Sequence, residues 1–234
     1  MSASADGATG RAAGADHGTL GVLVAGGAGA RLDSGRPKAL LELGGRTLLA
    51  RACETLAAVC DVVVVAAPES LAVPLPAGVV RVHDPPGVIG PLGGMVAGLS
   101  ARPYRRAIVL GVDFPFMPPA LLRALRARLD EAIVAHEAMA CGARAIEAIV
   151  PAPGGIAQPL VAAYAPGARD VLAARLASGE RAPSRAILAL AATVLDDAVV
   201  ETLPGGHMAF FNLNTPADLE TARRRMRMMT ESRG

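Results

Sequence analysis

Short runs of apolar residues alternate along the chain with longer segments whose apolar residues recur every three or four positions. The short runs are rich in Val, Leu and Ile and predict buried strands at 19–25, 61–67, 79–83 and 106–113. The longer segments predict helices at 47–59, 92–101 and 119–141. Strands and helices in alternation indicate an α/β fold, in which parallel strands carry helices on both faces of the sheet.

The second half of the chain has a less regular pattern. It predicts two strands around a Pro-Gly-Gly turn within 145–164, and further strands at 193–197 and 207–214. Short helices are predicted at 169–177 and 184–192. A last helix is predicted after Thr215, which is a good N-cap residue, with Pro216 in the first helical position.

Composition and charge narrow the class of protein. Residues 1–18 are small, polar and rich in Gly and Ala, so we expect a disordered tail there and a single domain at 19–234. No apolar run approaches the roughly 20 residues of a membrane span. The odd number of cysteines, three, argues against a disulfide framework and favours a cytoplasmic protein. A net charge of +2 argues against a general nucleic-acid binder.

The first predicted strand runs into a glycine-rich, basic loop. The sequence AGGAGARLDSGRPK (25–38) places Gly26, Gly27 and Gly29 directly after the strand, with Arg31 and Lys38 behind them. Backbone N–H groups of glycines approach an anion closely and the cations offset its charge, so the pattern predicts a phosphate-binding loop. It is neither a Walker A loop nor a dinucleotide fingerprint, and a basic turn without a ligand is the alternative.

Two aspartates stand at the carboxyl ends of predicted strands, at the same edge of the sheet. Asp84 comes directly after the third strand and Asp113 is the last residue of the fourth. Ligands of parallel sheets bind at the carboxyl ends of the strands, and Mg²⁺ often uses one or two carboxylates together with phosphate oxygens. The pattern therefore predicts a nucleotide-and-metal site, with ordinary turn aspartates as the alternative.

The motifs of the chain, taken in their order along the sequence, resemble those of the molybdenum cofactor guanylyltransferase family. The resembling segments are AGGAGARLDSGRPKALLELGG (25–45), PPGVIGPLGGMVAGL (85–99), VLGVDFPFMPPALL (109–122), QPLVAAY (158–164), SGERAPSRAI (178–187) and FFNLNTPADL (210–219). The resemblance implies a Rossmann-like three-layer sandwich with a mostly parallel central sheet, of the nucleotide-diphospho-sugar transferase type. It also implies Mg²⁺-dependent transfer of GMP from GTP to the terminal phosphate of molybdopterin, with release of pyrophosphate.

The same resemblance implies roles for individual residues. The loop that cradles the nucleotide would be Ala25, Gly26, Gly27, Ala28 and Gly29. Arg31, Lys38 and Asp113 would be catalytic, with Lys38 and Asp113 also contacting the nucleotide and Asp113 holding Mg²⁺. Asp84 would contact the nucleotide. Further candidates are Gln158, Asn212 and Asn214, for which a polar strand residue and a helix start are the alternatives.

Two departures from the family pattern keep other functions open. Arg36 and Pro37 stand before the lysine, where the guanylyltransferases usually carry an acid, and Pro-Lys there is more similar to cytidylyltransferases. The second strand ends in Ala66 and Ala67, which lack the hydrogen-bonding side chain of an asparagine. The alternatives are a cytidylyltransferase acting on molybdopterin or another phosphorylated acceptor, and a non-catalytic nucleotide-binding protein. Other cofactor-biosynthesis proteins or acceptor molybdoenzymes are the expected protein partners.

Overall fold

The computed structural model describes residues 18–26, 37–71, 74–83, 88, 90–138 and 144–231. The strands in these residues are β1 (Thr19–Val24), β2 (Glu42–Leu43), β3 (Arg46–Thr47), β4 (Val62–Ala67), β5 (Val80–His83), β6 (Arg106–Gly111), β7 (Ala148–Pro151), β8 (Val161–Tyr164) and β9 (Ala192–Leu195). The α-helices are α1 (Leu48–Ala57), α2 (Pro91–Ser100), α3 (Pro119–Ala138), α4 (Pro166–Ala177), α5 (Pro183–Ala186), α6 (Asp197–Thr202), α7 (Gly206–Ala209) and α8 (Pro216–Glu231). Short 3-10 helices lie at Lys38–Leu40, Pro153–Gly155 and Ile187–Ala189.

A seven-stranded sheet has the order β5-β4-β1-β6-β8-β7-β9. β8 runs antiparallel to β6 and β7, whereas the other neighbouring strands run parallel. The prediction of an α/β fold with a mostly parallel central sheet is therefore confirmed. β2 and β3 form a separate hairpin, whose turn residues Gly44 and Gly45 have φ of +60° and +73°. Glycine adopts this left-handed backbone without a steric cost.

Apolar clusters lie on both faces of the sheet because successive strand residues point to opposite sides. In β1, Val22 packs in a cluster with Leu99 of α2, and the next residue, Leu23, packs in another cluster with Leu56 of α1 and Leu125 of α3. All five side chains are fully buried. Helices thus cover both faces, as the alternating pattern predicts. None of the helices in the described residues is long and apolar enough to cross a membrane.

Two predictions for the second half were wrong. Residues 207–214 do not form a strand: α7 occupies the start and an irregular segment follows. The buried apolar residues of this segment are Ala209, Phe210 and Leu213. Their spacing is that of a helical turn, whereas a strand would bury every second residue. The helix predicted at 184–192 is also too long, because a 3-10 turn follows α5 and β9 begins at Ala192.

Candidate active site

The candidate site lies at the carboxyl ends of β1 and β6, where the order of the strands reverses. Ala25 and Gly26 follow β1, and Asp113 stands two residues after β6. The Ala25 N–H donates to the Ala66 carbonyl at 2.9 Å, and the Val112 N–H donates to the Val24 carbonyl at 3.1 Å. These bonds extend the sheet beyond the strands, so the start of the glycine loop and Asp113 meet at one edge, as expected for a ligand site in such a sheet.

Several of the predicted site residues cannot be placed. Gly27, Ala28, Gly29, Arg31 and Asp84 lie outside the described residues. Their roles stay predictions.

Lys38 brings two distant parts of the chain together. It belongs to the 3-10 helix that follows Pro37, and its side chain is only 10% exposed. Its Nζ donates a hydrogen bond to Asn214 Oδ1 at 3.0 Å and lies 3.8 Å from Asp113 Oδ2. An ammonium has three N–H donors and a carboxylate has about four lone-pair positions, so both groups keep bonding capacity for a ligand.

Burial acts on both charges of this pair. It lowers the pKa of Lys38, while the negative charges of Asp113 and Asp218 oppose that shift. Burial also raises the pKa of Asp113, against the charge of Lys38 and hydrogen bonds from the Asp113 backbone and the Asn212 side chain. Each charge is thus partly removed from water and partly compensated by the other. A site of this kind favours a ligand that brings phosphate oxygens and a cation together.

Asp113 is held by the segment that precedes α8. The Leu213 N–H donates to the Asp113 carbonyl at 2.9 Å, and the Asn212 side chain lies close enough to the Asp113 carboxylate to oppose the rise of its pKa. The carboxylate also folds back over β6, because a Cβ at Gly111 would come 2.5 Å from Asp113 Oδ1. Glycine at position 111 therefore leaves the room that the carboxylate occupies.

Oxygen donors at this edge fit a magnesium ion. Asn212 Oδ1 is buried and has no hydrogen-bond partner among the described residues, and the Asp113 carboxylate lies beside the same side chain. In the described part of the chain, no group of three or more His, Cys, Asp or Glu residues is arranged to hold a metal. This donor set suits Mg²⁺, which often takes one or two protein ligands and completes its shell with phosphate oxygens and water.

The sequence left two interpretations open for Asn214, a site residue and part of a helix start, and its main chain and side chain take part in different contacts. The Asp218 carboxylate accepts hydrogen bonds from the Asn214 N–H at 3.0 Å and the Thr215 N–H at 2.7 Å, and Thr215 Oγ1 accepts from the Asp218 N–H at 3.1 Å. Thr215 and Asp218 thus form the helix start, which leaves the Asn214 side chain available to Lys38. Sequence reasoning missed the link from Asp218 to the site, although the Thr-x-x-Asp spacing was a signal for the cap.

Gln158 stands near the same edge of the sheet, two residues before Leu160, whose carbonyl accepts the Gly111 N–H at 2.7 Å at the carboxyl end of β6. The Gln158 N–H donates to the Pro151 carbonyl at 2.8 Å, and its side-chain Nε2 donates to the Ile156 carbonyl at 3.3 Å. These bonds stabilise the connection between β7 and β8. The structure therefore brings Lys38, Asp113, Asn212 and Asn214 together, while the role of Gln158 stays a prediction.

Comparison with known proteins gives concordant matches. The family model described as the MobA-like NTP transferase domain matches residues 21–194. A probable molybdenum cofactor guanylyltransferase from Chloroflexus aggregans is 33% identical over 204 residues, which are 86% of this chain and 91% of the relative. Molybdopterin-guanine dinucleotide biosynthesis protein A from Archaeoglobus fulgidus superposes with a TM-score of 0.65 at 23% identity, over 88% of this chain and 97% of that chain. The 2-C-methyl-D-erythritol 4-phosphate cytidylyltransferase from Thermus thermophilus shares the fold, with a TM-score of 0.59 at 22% identity over 88% of this chain and 98% of that chain.

Proposed function

The chain belongs to the MobA-like family of nucleotidyltransferases, and on that premise we propose that it is a molybdenum cofactor guanylyltransferase. In the proposed reaction, the terminal phosphate of molybdopterin attacks the α-phosphate of GTP, the bond to the β-phosphate breaks, and pyrophosphate leaves. The observation that carries the proposal is the meeting of Lys38, Asp113 and Asn214 at the carboxyl edge of the sheet.

Lys38 supplies positive charge where two anions must approach each other. Phosphoryl-type transfer depends on charge neutralisation and in-line positioning more than on an acid–base pair. One N–H of the Lys38 ammonium is held by Asn214 Oδ1, which orients the other two for phosphate oxygens. The low exposure of the side chain strengthens this interaction, because the local dielectric constant is lower than in water.

Asp113 would hold Mg²⁺ in the proposed site, with the Asn212 side chain next to its carboxylate. The ion supplies neutralisation of phosphate charge when it is bound. Asp113 stands close behind the buried strand β6 and its main chain is fixed by Leu213, so the carboxylate has a defined position before the nucleotide arrives. Gly26 begins the loop that we propose to cradle the triphosphate, together with Arg31, and we retain Asp84 as a nucleotide contact.

We also propose that the protein works in the cytoplasm, with GTP and molybdopterin as small-molecule partners. Cys53 and Cys60 are both buried free thiols, which supports a reducing compartment. Burial raises the pKa of both thiols, to about 11 and about 12, so they stay protonated and unreactive at neutral pH. Contact with other cofactor-biosynthesis proteins or acceptor molybdoenzymes remains part of this proposal.

A cytidylyltransferase is the second candidate because of the end of β4. Ala66 and Ala67 are fully buried there, and the Ala66 carbonyl already accepts the Ala25 N–H. Neither residue offers a side-chain hydrogen bond to a base. A site that discriminates bases needs such groups, so guanine would have to be recognised by other parts of the site.

The test is a nucleotide panel with the purified protein, Mg²⁺ and molybdopterin. Pyrophosphate release and the mass of the product are measured with GTP, CTP, ATP and UTP in turn, and each reaction is repeated without molybdopterin. Of the four nucleotides, we expect only GTP to give pyrophosphate release, and only when molybdopterin is present. Release with CTP in place of GTP would establish the cytidylyltransferase. Thermal stabilisation by a nucleotide without release from any of the four would favour the non-catalytic binding protein.

A further inference from the structure

The geometry points to Asp218 as a positioning residue, whose carboxylate fixes Asn214 and through it the Lys38 ammonium in the nucleotide site. This inference rests on the proposed function, because it gives Asp218 a part in the same reaction. Asp218 itself is not placed in contact with the reacting atoms.

A continuous series of contacts connects Asp218 to the site. Asp218 Oδ2 accepts the Asn214 N–H at 3.0 Å, and Asn214 Oδ1 accepts a hydrogen bond from Lys38 Nζ at 3.0 Å. Lys38 Nζ in turn lies 3.8 Å from Asp113 Oδ2. The main chain of Asn214 is thus fixed on one side by α8, while its side chain reaches the buried lysine on the other.

The segment that carries Asn214 needs such a restraint because it is not part of the sheet. Residues 210–214 are irregular, and Asn214 is exposed. The Leu213 N–H binds the Asp113 carbonyl at 2.9 Å, which fixes the segment on the Asp113 side. Asp218 fixes it one residue later on the α8 side, so the two bonds together define where the Asn214 side chain can reach.

The negative charge of Asp218, like its hydrogen bonds, helps to hold the Lys38 ammonium in the site. The carboxylate attracts the Lys38 ammonium, which is largely removed from water. Its position in the first turn of α8 is favourable for an anion, because the N-terminus of a helix carries a partial positive charge. The hydrogen bonds from Asn214 and Thr215 and the charge of Lys38 lower the pKa of Asp218, so its carboxylate stays ionised at neutral pH.

The competing interpretation is that Asp218 only starts the helix. Two different hydrogen bonds at the start of α8 distinguish a helix-capping role from a positioning role. Thr215 Oγ1 accepts the Asp218 N–H at 3.1 Å and its hydroxyl also stabilises the ionised Asp218 carboxylate, whereas Asp218 Oδ2 is the atom that binds the Asn214 N–H. Thr215→Ala should therefore weaken the start of α8 and leave the link from Asp218 to Asn214 in place.

The experiment compares Asp218→Ala, Thr215→Ala, Asn214→Ala and the double variant Asp218→Ala/Asn214→Ala. Unfolding midpoints are measured, together with kcat and KM for GTP in the presence of Mg²⁺ and molybdopterin. We expect Asp218→Ala to lower kcat/KM by about tenfold or more, as is usual for groups that orient a functional side chain, while Thr215→Ala stays within about twofold of wild type. In the Asn214→Ala background, Asp218→Ala should cost less than about twofold, because a residue that acts through Asn214 is coupled to it.

Three results would overturn the inference. Thr215→Ala could reduce turnover as much as Asp218→Ala, the effects of Asp218→Ala and Asn214→Ala could multiply, or Asp218→Ala could match wild type. Asp218→Asn is the conservative variant, since it keeps an acceptor oxygen for the Asn214 N–H. It should retain at least about threefold more turnover than Asp218→Ala, and equal loss in the two variants would contradict the inference.

If the proposed function is wrong, wild-type protein will not transfer GMP. This result distinguishes failure of the proposed function from failure of the positioning role. The comparison then uses the thermal shift produced by whichever nucleoside triphosphate stabilises the wild-type protein. A smaller shift in Asp218→Ala than in Thr215→Ala would still support the positioning role. Equal shifts, or no shift in wild-type protein, would overturn it.

Discussion

Replacing Gly111 with alanine should displace the Asp113 carboxylate without removing a functional group. A Cβ at position 111 would lie 2.5 Å from Asp113 Oδ1, and 3.1 Å from a ring carbon of Phe114. Ordinary contact begins at 3.4 Å, so the carboxylate oxygen has to retreat by about 0.9 Å, the difference between these distances. The strand that carries Gly111 is buried and cannot move freely to absorb the change.

The expected loss of turnover follows from that displacement. A misplacement of about 1 Å costs about 100-fold in rate, which corresponds to about 2.7 kcal/mol of transition-state stabilisation. Overpacking of a core position costs about 1–3 kcal/mol of the free energy of unfolding. Gly111→Ala should therefore fold under mild conditions and still lose about 100-fold in kcat for pyrophosphate release.

Gly98→Ala is the matched control for this variant. Its Cβ would lie 2.2 Å from Val22 Cγ1, where α2 packs on β1, so it also overpacks the core. It does not touch Asp113, and its kcat should stay within about threefold of wild type when the protein is folded. Both variants are examined by urea unfolding and by steady-state kinetics. A folded Gly111→Ala with nearly wild-type kcat, or equal losses of kcat in both variants, would refute the assignment of Asp113.

Three further variants test other parts of the structure. Lys38→Met removes the ammonium and keeps a side chain of similar length, so pyrophosphate release should fall about 100-fold. Circular dichroism should show an intact fold. Wild-type turnover would contradict the role of Lys38. Hydrogen bonds from Arg185 and nearby backbone amides lower the pKa of Glu180 from 4.5 to about 2. Because the folded-state pKa is the lower one, Glu180 stabilises the fold above pH 4.5, and this contribution is lost as the pH falls towards 2. Glu180→Gln should therefore flatten the decrease of the thermal midpoint over that interval, and a decrease parallel to that of wild type would contradict the pairing. Thr47→Ala removes the acceptor of the Ala50 N–H at 3.1 Å and should lower the free energy of unfolding by about 1 kcal/mol; an unchanged urea midpoint would exclude this cap.

The pattern of apolar residues predicted the elements that are buried. β1, β4 and β6 are short apolar runs, and the start of α1 was predicted from Thr47 because its cap is a local interaction. β9 was harder to delimit. In the part of the chain that the structure describes it pairs only with β7, and Thr193 and Val194 are exposed, so no continuous apolar run marks it. The segment 207–214 was misread because its apolar residues reach the core from an irregular backbone.

The sequence pattern predicted the edge of the sheet that carries the site, but not the contacts between its side chains. Lys38 and Asp113 were singled out because each follows a recognisable pattern at the edge of the sheet. The hydrogen bond from Lys38 to Asn214 joins residues 176 positions apart, and no local spacing encodes it. The same holds for Gly111, whose importance depends on how closely the Asp113 carboxylate folds back.

The most direct test follows the phosphate itself. GTP labelled at the α-phosphate is incubated with Mg²⁺, molybdopterin and either wild-type protein or Asp113→Ala, after the fold of the variant has been verified. We expect wild-type protein to move the label into the guanine dinucleotide of molybdopterin, with one pyrophosphate for each label transferred, and Asp113→Ala to leave the label in GTP. Label that stays in GTP with wild-type protein, or transfer by Asp113→Ala at the wild-type rate, would contradict the proposed guanylyltransferase site.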